Sequence, residues 1–412
     1  MSAHVKILLG LVAGSLLGLA ARWLPQPTLD FVTNEVAKPV GQIFLRLLFM
    51  LIVPLLFGAV VSGVAALELR TLGRIGARTL AYATVVSGIA VIIGLVLVNA
   101  IQPGAGLPVE LRELAKAQAQ VTALPKPPDA GAVALIIAMV PDNPIKAAAG
   151  GDMIAVIIFS LLFGIALSFT DTEAAKTLRA TIEGLNDVMT TLVRGVLLLA
   201  PVGVAALLFT LTAKLGVEIF AHLAKYVGVV LLALALHQFV VYSLLVKFLA
   251  KRPPLQFFKD VRLAMVTAFA TASSSATLPT ALKVAEENLK LPPAVSRFVL
   301  TAGSAMNQNG TALFEGVTVL FLAQLYGVEL GLGQQLSIMV ICILGGIGTA
   351  GVPAGSLPVI AMILGMFGIP PEGMGLILGV DRLLDMSRTT LNVTGDLAAA
   401  VYVARAESEQ GA

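Results

Sequence analysis

The stretch Asp381-Arg-Leu-Leu-Asp385-Met-Ser-Arg388-Thr-Thr-Leu-Asn392-Val-Thr-Gly-Asp396 decides how this chain is read. Its Asp381, Asp385, Arg388, Asn392 and Asp396 are spaced 4, 3, 4 and 4. At about 100° per residue these side chains fall within roughly an 80° sector of one helical face. The residues between and after them, among them Leu383, Leu384, Leu391, Val393 and Leu397, are mostly apolar, so the stripe lies on a helix made for hydrocarbon. One Arg at a bilayer centre costs about 2.5–3.5 kcal/mol even on a lenient insertion scale. A chain that places four ionisable groups there is expected to use them, as the floor of a binding site for a charged solute and its coupling ions. The alternative is an internal Asp385–Arg388 ion pair that only stitches helices together. It would leave Asp381 and Asp396 without partners.

Working outward, 58% of the 412 residues are hydrophobic and 12% charged, whereas a soluble domain is about a quarter charged. Near-continuous apolar runs occur at 5–23, 41–66, 79–101, 152–169, 189–213, 222–249, 297–326 and 373–405, several of them long enough, at about 20 residues, to cross a bilayer. This is the pattern of an all-α polytopic membrane protein. The net charge of +3 comes from Lys and Arg in short loops, an orientation signal rather than a nucleic-acid patch. Arg70, Arg74 and Arg78 in one loop, and Lys247, Lys251, Arg252, Lys259 and Arg262 in another, place both loops and both termini in the cytoplasm. The long segment 102–150 is balanced in charge and reads as external. No signal-peptidase pattern precedes the run at 5–23, which is expected to stay as a helix of a multi-pass protein of the inner (plasma) membrane. A single cysteine, Cys342, excludes an intramolecular disulfide framework.

After Pro253 and Pro254 the chain changes character. Residues 264–284 form two short apolar pieces around Thr271-Ala-Ser-Ser-Ser-Ala-Thr-Leu-Pro279. Residues 336–367 repeat the idea around Gly345-Gly-Ile-Gly-Thr-Ala-Gly-Val-Pro-Ala-Gly-Ser356. Gly and Pro interrupt both, and neither arm is comfortably long enough to span, so each is expected to be a re-entrant helical hairpin. Each precedes a long apolar helix with a polar interruption, Asn307-Gln-Asn-Gly-Thr311 in one and the charged stripe in the other. Paired broken segments in matching positions point to a transporter's substrate site. Enzyme motifs are nearly absent. Gly150-Gly-Asp152 has the form of an intramembrane aspartyl protease motif without a comparable second aspartate, and His4, His222 and His237 share no ligand spacing.

At Ser273-Ser-Ser-Ala-Thr-Leu-Pro279, Asn307-Gln-Asn-Gly-Thr-Ala-Leu313, Gly348-Thr-Ala-Gly-Val-Pro353 and Asp385-Met-Ser-Arg-Thr-Thr-Leu-Asn-Val-Thr-Gly-Asp396, the chain resembles the glutamate transporter family, the dicarboxylate/amino acid:cation symporters. The resemblance covers essentially the whole chain. It implies eight transmembrane helices plus two re-entrant hairpins, inverted repeats, and a homotrimer working as an elevator. Residues 1–70 and 131–215 would supply scaffold and trimerisation helices. Residues 71–130 (helix 3 and the external loop) and 216–412 would form the transport domain. The implied function is cation-driven symport of L-aspartate or L-glutamate, proton-coupled or with reduced sodium coupling; the alternatives are a C4-dicarboxylate symporter and a sodium-coupled aspartate transporter of the usual kind. Arg388 matches the grip on the substrate's side-chain carboxylate, and its planar fork suits that job. Asp385 matches the partner of the ammonium. Asn392, Thr389 and Ser274 match contacts around the main-chain carboxylate, and Thr311 and Val352 match further lining positions.

No organic cofactor is implied; the coupling cations are Na+ and/or H+. One sodium-like site matches Gly303, Asn307, Asn392 and Asp396. A second matches main-chain oxygens around Ala305, Ile347 and Thr349, with Gln308 where the family has methionine. A third is expected to be dismantled, because Asn309 stands at its carboxylate position and Ala83, Val86 and Ser87 fall where Tyr, Thr and Ser are usual; a slip by one residue would bring in Tyr82. Glu315, four residues beyond Thr311 and eight beyond Asn307, shares their helical face and is the candidate proton carrier. A buried carboxyl favours its protonated form. The alternative is a lumen-facing Glu315 that is simply solvated.

Overall fold

Apolar chain in hydrocarbon must close its hydrogen bonds within helices or a barrel. The computed structural model is helical throughout its described residues, 3–65, 73–106, 140–348 and 356–409, with no strand among them. The first half comprises α1 (Ala3–Ala21), α2 (Gln26–Phe31), α3 (Lys38–Phe49), α4 (Ile52–Ala65) and α5 (Gly73–Ile101). It continues through α6 (Pro144–Gly150), α7 (Met153–Phe169), α8 (Glu173–Leu197) and α9 (Ala200–Leu215). Polar caps set the entries where the sequence offers them: Asn143 accepts from the Ile145 and Lys146 N–H groups, and Asp152 from Ala155 N–H. Small residues set the closest contacts. Gly10, Gly14 and Gly18 of α1, one turn apart, lie against the backbone of Pro201, Ala205 and Phe209 on α9.

Three continuous helical stretches among the described residues are long and apolar enough to cross a membrane, Gln26–Ala65, Gly73–Ile101 and Glu218–Phe248; α8 and α9, bent by 54° at their break, reach that length and apolarity only when taken together. Val5–Ala21 and Ile154–Phe169 are apolar but shorter. The third stretch joins α10 (Glu218–Leu236) to α11 (Tyr242–Phe248) through a π-turn at His237–Val241.

Both expected hairpins contain paired helices. α12 (Pro254–Thr271) and α13 (Ser274–Glu287) fold against each other around Ala272 and Ser273. Ala272 takes the left-handed conformation at φ 49°. The Ser273 side chain then accepts from Ala276 N–H at 3.2 Å, and Thr277 Oγ1 donates to Ser273 O at 2.8 Å. The first arm is longer than expected. It begins at Pro254 rather than near residue 264, because Gln256, Lys259 and Arg262 lie exposed on its outer turns and broke the apolar pattern. The second pair is α16 (Leu332–Gly348) and α17 (Leu357–Met366); its tip, including Thr349 and Val352, lies outside the described residues.

The two long helices differ. α14 (Pro293–Met306) and α15 (Asn309–Tyr326) are separated at Asn307 and Gln308, both outside helical geometry. Asn and Gly have poor helix propensity, and the run Asn307-Gln-Asn-Gly310 concentrates them. α18 (Met374–Ser408) runs unbroken for 35 residues. It is enclosed by α10, α12, α13, α14 and α15, and its N-terminal half also meets α1 and α9. The stripe is therefore at the centre of the second half.

Candidate functional site

All five stripe residues are buried. Helical side chains lean toward the N-terminus, and Arg388 reaches back along α18. Its Nη1 lies 2.9 Å from Asp381 Oδ1 and its Nη2 2.9 Å from Asp385 Oδ1. The guanidinium carbon stands 4.2 Å from the centroid of the Phe314 ring, a cation–π contact. This corrects the sequence reading, in which an internal pair would strand Asp381 and Asp396. The long arginine spans two turns and holds both Asp381 and Asp385, and Asp396 has a different partner.

That partner is on the broken helix. Asn307 Nδ2 donates to Asp396 Oδ1 at 2.9 Å, while Asn307 Oδ1 is buried with no hydrogen-bond partner. A Cβ on Gly303 would lie 2.5 Å from Asp396 Oδ1, so only glycine allows this approach. Gly303, Asn307 and Asp396 thus come together as expected. The free amide oxygen, main-chain oxygens and one carboxylate suit a hard cation. Asn392 joins them less directly, because its side-chain oxygen accepts from Gly310 N–H at 2.7 Å. Its Nδ2 donates to Gln308 Oε1 at 2.6 Å and to Thr311 Oγ1 at 3.1 Å. Gly310 is required here too: a Cβ on it would lie 2.6 Å from Arg388 O.

The residues expected at a dismantled third cation site are joined by neutral hydrogen bonds. Ser87 Oγ donates to Asn309 Oδ1 at 2.5 Å, Asn309 Nδ2 donates to the Tyr242 hydroxyl at 3.0 Å, and that hydroxyl donates to Leu391 O at 3.2 Å. Ala83 and Val86 are buried beside them without side-chain oxygens. Tyr82 instead stacks on Tyr402 with ring centroids 5.7 Å apart. No group of three or more His, Cys, Asp or Glu suited to a metal occurs among the described residues.

Glu315 is wholly buried, and neither carboxyl oxygen has a hydrogen-bond partner. A solvated, lumen-facing Glu315 is therefore excluded. A Cβ on Gly345 would lie 3.7 Å from its Oε2, so an arm of the second hairpin covers the carboxyl. It shares the α15 face of Thr311 but not that of Asn307, because the helix breaks between them. Ser274 and Thr389 are buried at the first hairpin tip and on α18. Ala305 lies in the last turn of α14 and Ile347 in α16. Val352 and Thr349 fall outside the described residues.

The profile of the sodium:dicarboxylate symporter family matches residues 3–406. The chain belongs to that family. Membership bears out the resemblance read from the four motifs. It also removes the enzyme alternative, since this is a family of secondary transporters. The "Proton/sodium-glutamate symport protein" of Geobacillus stearothermophilus is 32% identical over 407 residues, covering 98% of this chain and 94% of the relative. The "Proton/glutamate-aspartate symporter" of Escherichia coli K12 is 33% identical, covering 98% and 92%. The "C4-dicarboxylate transport protein" of Deinococcus radiodurans is 32% identical, covering 99% and 89%.

Within this symporter-family site, sequence reasoning missed three participants. Phe314 under the guanidinium carries no signal beyond an apolar position. Tyr242 lies on another helix, distant in sequence. The Gln308 side chain was noted only as a departure, although it contacts Asn392 and Ser304. His222 and His237 supply no polar contact to the site. His222 Nδ1 lies 2.8 Å from Pro103 O, and buried His237 packs edge-on against Tyr242.

Proposed function

We propose that the chain is a secondary symporter of acidic amino acids, L-aspartate or L-glutamate, driven by a cation gradient. One observation carries this: a buried arginine and a buried aspartate, Arg388 and Asp385, one turn apart beside the amide of Asn392. A solute that answers both charges has a carboxylate and an ammonium, and a second carboxylate suits the amide and hydroxyl donors. In this reading Arg388 takes the side-chain carboxylate, Asp385 the ammonium, and Asn392, Thr389 and Ser274 the main-chain carboxylate, with Thr311 and Val352 as further lining of the pocket. The names of the two glutamate-carrying relatives support it.

Gly303, Asn307, Asn392 and Asp396 would hold a sodium ion, with Ala305, Ile347 and Thr349 as a second, main-chain site. A bound cation supplies positive charge. The need is electrostatic: three aspartates and one arginine carry a net −2 when ionised, and an acidic amino acid adds a further negative charge. We assign Glu315 the proton, because a carboxyl closed off from solvent and hydrogen-bond donors is held most cheaply as the neutral acid. Eight spans with two re-entrant hairpins, inverted repeats, a homotrimer, an elevator-like motion of residues 71–130 and 216–412 against 1–70 and 131–215, and cytoplasmic termini complete the proposal.

The second reading, a C4-dicarboxylate symporter, is favoured by the Deinococcus relative. Asp385 discriminates the two, because a plain dicarboxylate offers it no ammonium. Isothermal titration of the purified chain with L-aspartate and with succinate, with and without sodium and at two pH values, tests the assignment. Asp385→Ser should abolish L-aspartate binding and spare succinate. Tight succinate binding with none of L-aspartate would select the second reading.

A further inference from the structure

The break between α14 and α15 leaves main-chain oxygens without their usual N–H partners. One of them is Ser304 O, which a continuous helix would pair with the Gln308 N–H. Here the Gln308 side chain supplies the donor instead, with Nε2 2.9 Å from Ser304 O. The other end of the same amide faces the pocket. Gln308 Oε1 accepts from Asn392 Nδ2 at 2.6 Å and from Thr311 Oγ1 at 3.2 Å, and the residue is only 3% exposed. Asn392 has its side-chain oxygen on Gly310 N–H and its two N–H bonds on Gln308 and Thr311. The bond to Gln308 is shorter by 0.5 Å, from 3.1 to 2.6 Å, so Thr311 is the partner more readily given up to a ligand.

We infer that Gln308 is a positioning residue of the substrate site, whose amide orients Asn392 and Thr311 while capping Ser304 O, and so does without an ion what a bound cation could do at this break. This rests on the reading of Asn392 and Thr311 as substrate contacts. The physical ground is donor identity. A hard cation is recruited by main-chain oxygens lacking N–H partners, and an amide NH2 satisfies such an oxygen at no cost in charge. A side chain with neither donor nor strong acceptor leaves Ser304 O open and one Asn392 N–H unpaired.

The test is titration of the purified chain with L-aspartate, and in parallel with succinate, across a sodium series balanced with choline. Gln308→Met is expected to weaken binding in choline by on the order of ten- to a hundredfold, the effect of one unpaired buried donor. Sodium should then restore affinity, with the slope of log affinity against log sodium steeper than in the unsubstituted chain by about one ion, as for a newly opened oxygen site. Gln308→Asn, too short to reach both Ser304 O and Asn392, should behave alike and serves if the first variant does not fold. Affinity unchanged, or weakened equally at every sodium concentration with the slope preserved, overturns the inference. An unsubstituted chain that binds neither ligand overturns the reading of the site itself, and is seen before any variant is made.

Discussion

Replacing Arg388 by Gln separates structure from ligand binding at this site. In the native chain one guanidinium lies 2.9 Å from each of two carboxylates, and it is 2% exposed. Removing it leaves the buried Asp381 and Asp385 without the cation they share. Breaking a buried pair by removing one partner costs about 3–5 kcal/mol, a large part of a total stability of roughly 5–15 kcal/mol. The 4.2 Å contact with Phe314 adds a smaller loss, about 0.5–2 kcal/mol. Arg388→Gln should therefore melt well below the unsubstituted protein in detergent. Asp381→Asn combined with Arg388→Gln should recover part of that loss, because one stranded charge is gone; pairs in direct contact couple by about 0.5–3 kcal/mol. L-Aspartate affinity should be lost in both variants, since neither restores a fork for the side-chain carboxylate. Unchanged melting and affinity in Arg388→Gln would refute the reasoning, as would a double variant less stable than the single one.

Asn309→Asp puts a carboxylate between Ser87 and Tyr242, whose hydroxyls carry no charge to balance it. It should lose several kcal/mol of stability in choline and be stabilised by sodium more than the unsubstituted chain, read by thermal unfolding in both buffers; no differential sodium effect would refute this. Gly310→Ala drives a methyl to 2.6 Å from Arg388 O; a loss of about 1–3 kcal/mol in stability and weaker L-aspartate binding are expected, and a neutral outcome would mean that α15 and α18 can part without consequence. Glu315→Gln should abolish substrate-coupled proton flux into sodium-free liposomes after a pH jump while keeping substrate binding, and persistence of the flux would take the proton away from Glu315.

The stripe on α18 was legible because helical periodicity is rigid: spacing alone brings five side chains to one face, and all five are buried. Both helix pairs were legible as Gly- and Pro-broken segments, although the polar outer turns of α12 hid about ten residues of its first arm and the tip of the second pair lies outside the described residues. What the sequence could not show was which charges meet. Arg388 reaches seven residues back as easily as three, a choice made by rotamer and by the apolar walls around it. The stretch Asn307-Gln-Asn-Gly-Thr311 was visible as a polar interruption, but the break there and its effect on Glu315 were not, because counting turns assumes that the helix continues. The Asn309 bridge joins α5, α11, α15 and α18, helices up to 304 positions apart from Ser87 to Leu391, and only packing brings them together.

That bridge has an electrical consequence. An aspartate at residue 309 would be neutralised only while a cation sat beside it, and an empty carrier returning across the membrane would drag its negative charge through the field. One elementary charge moved through 100 mV involves about 2.3 kcal/mol. Asn309, satisfied by a serine and a tyrosine hydroxyl, contributes nothing to that work, loaded or empty. In the proposed elevator motion this part of the protein would travel uncharged in both directions, and membrane voltage would have no hold on it there.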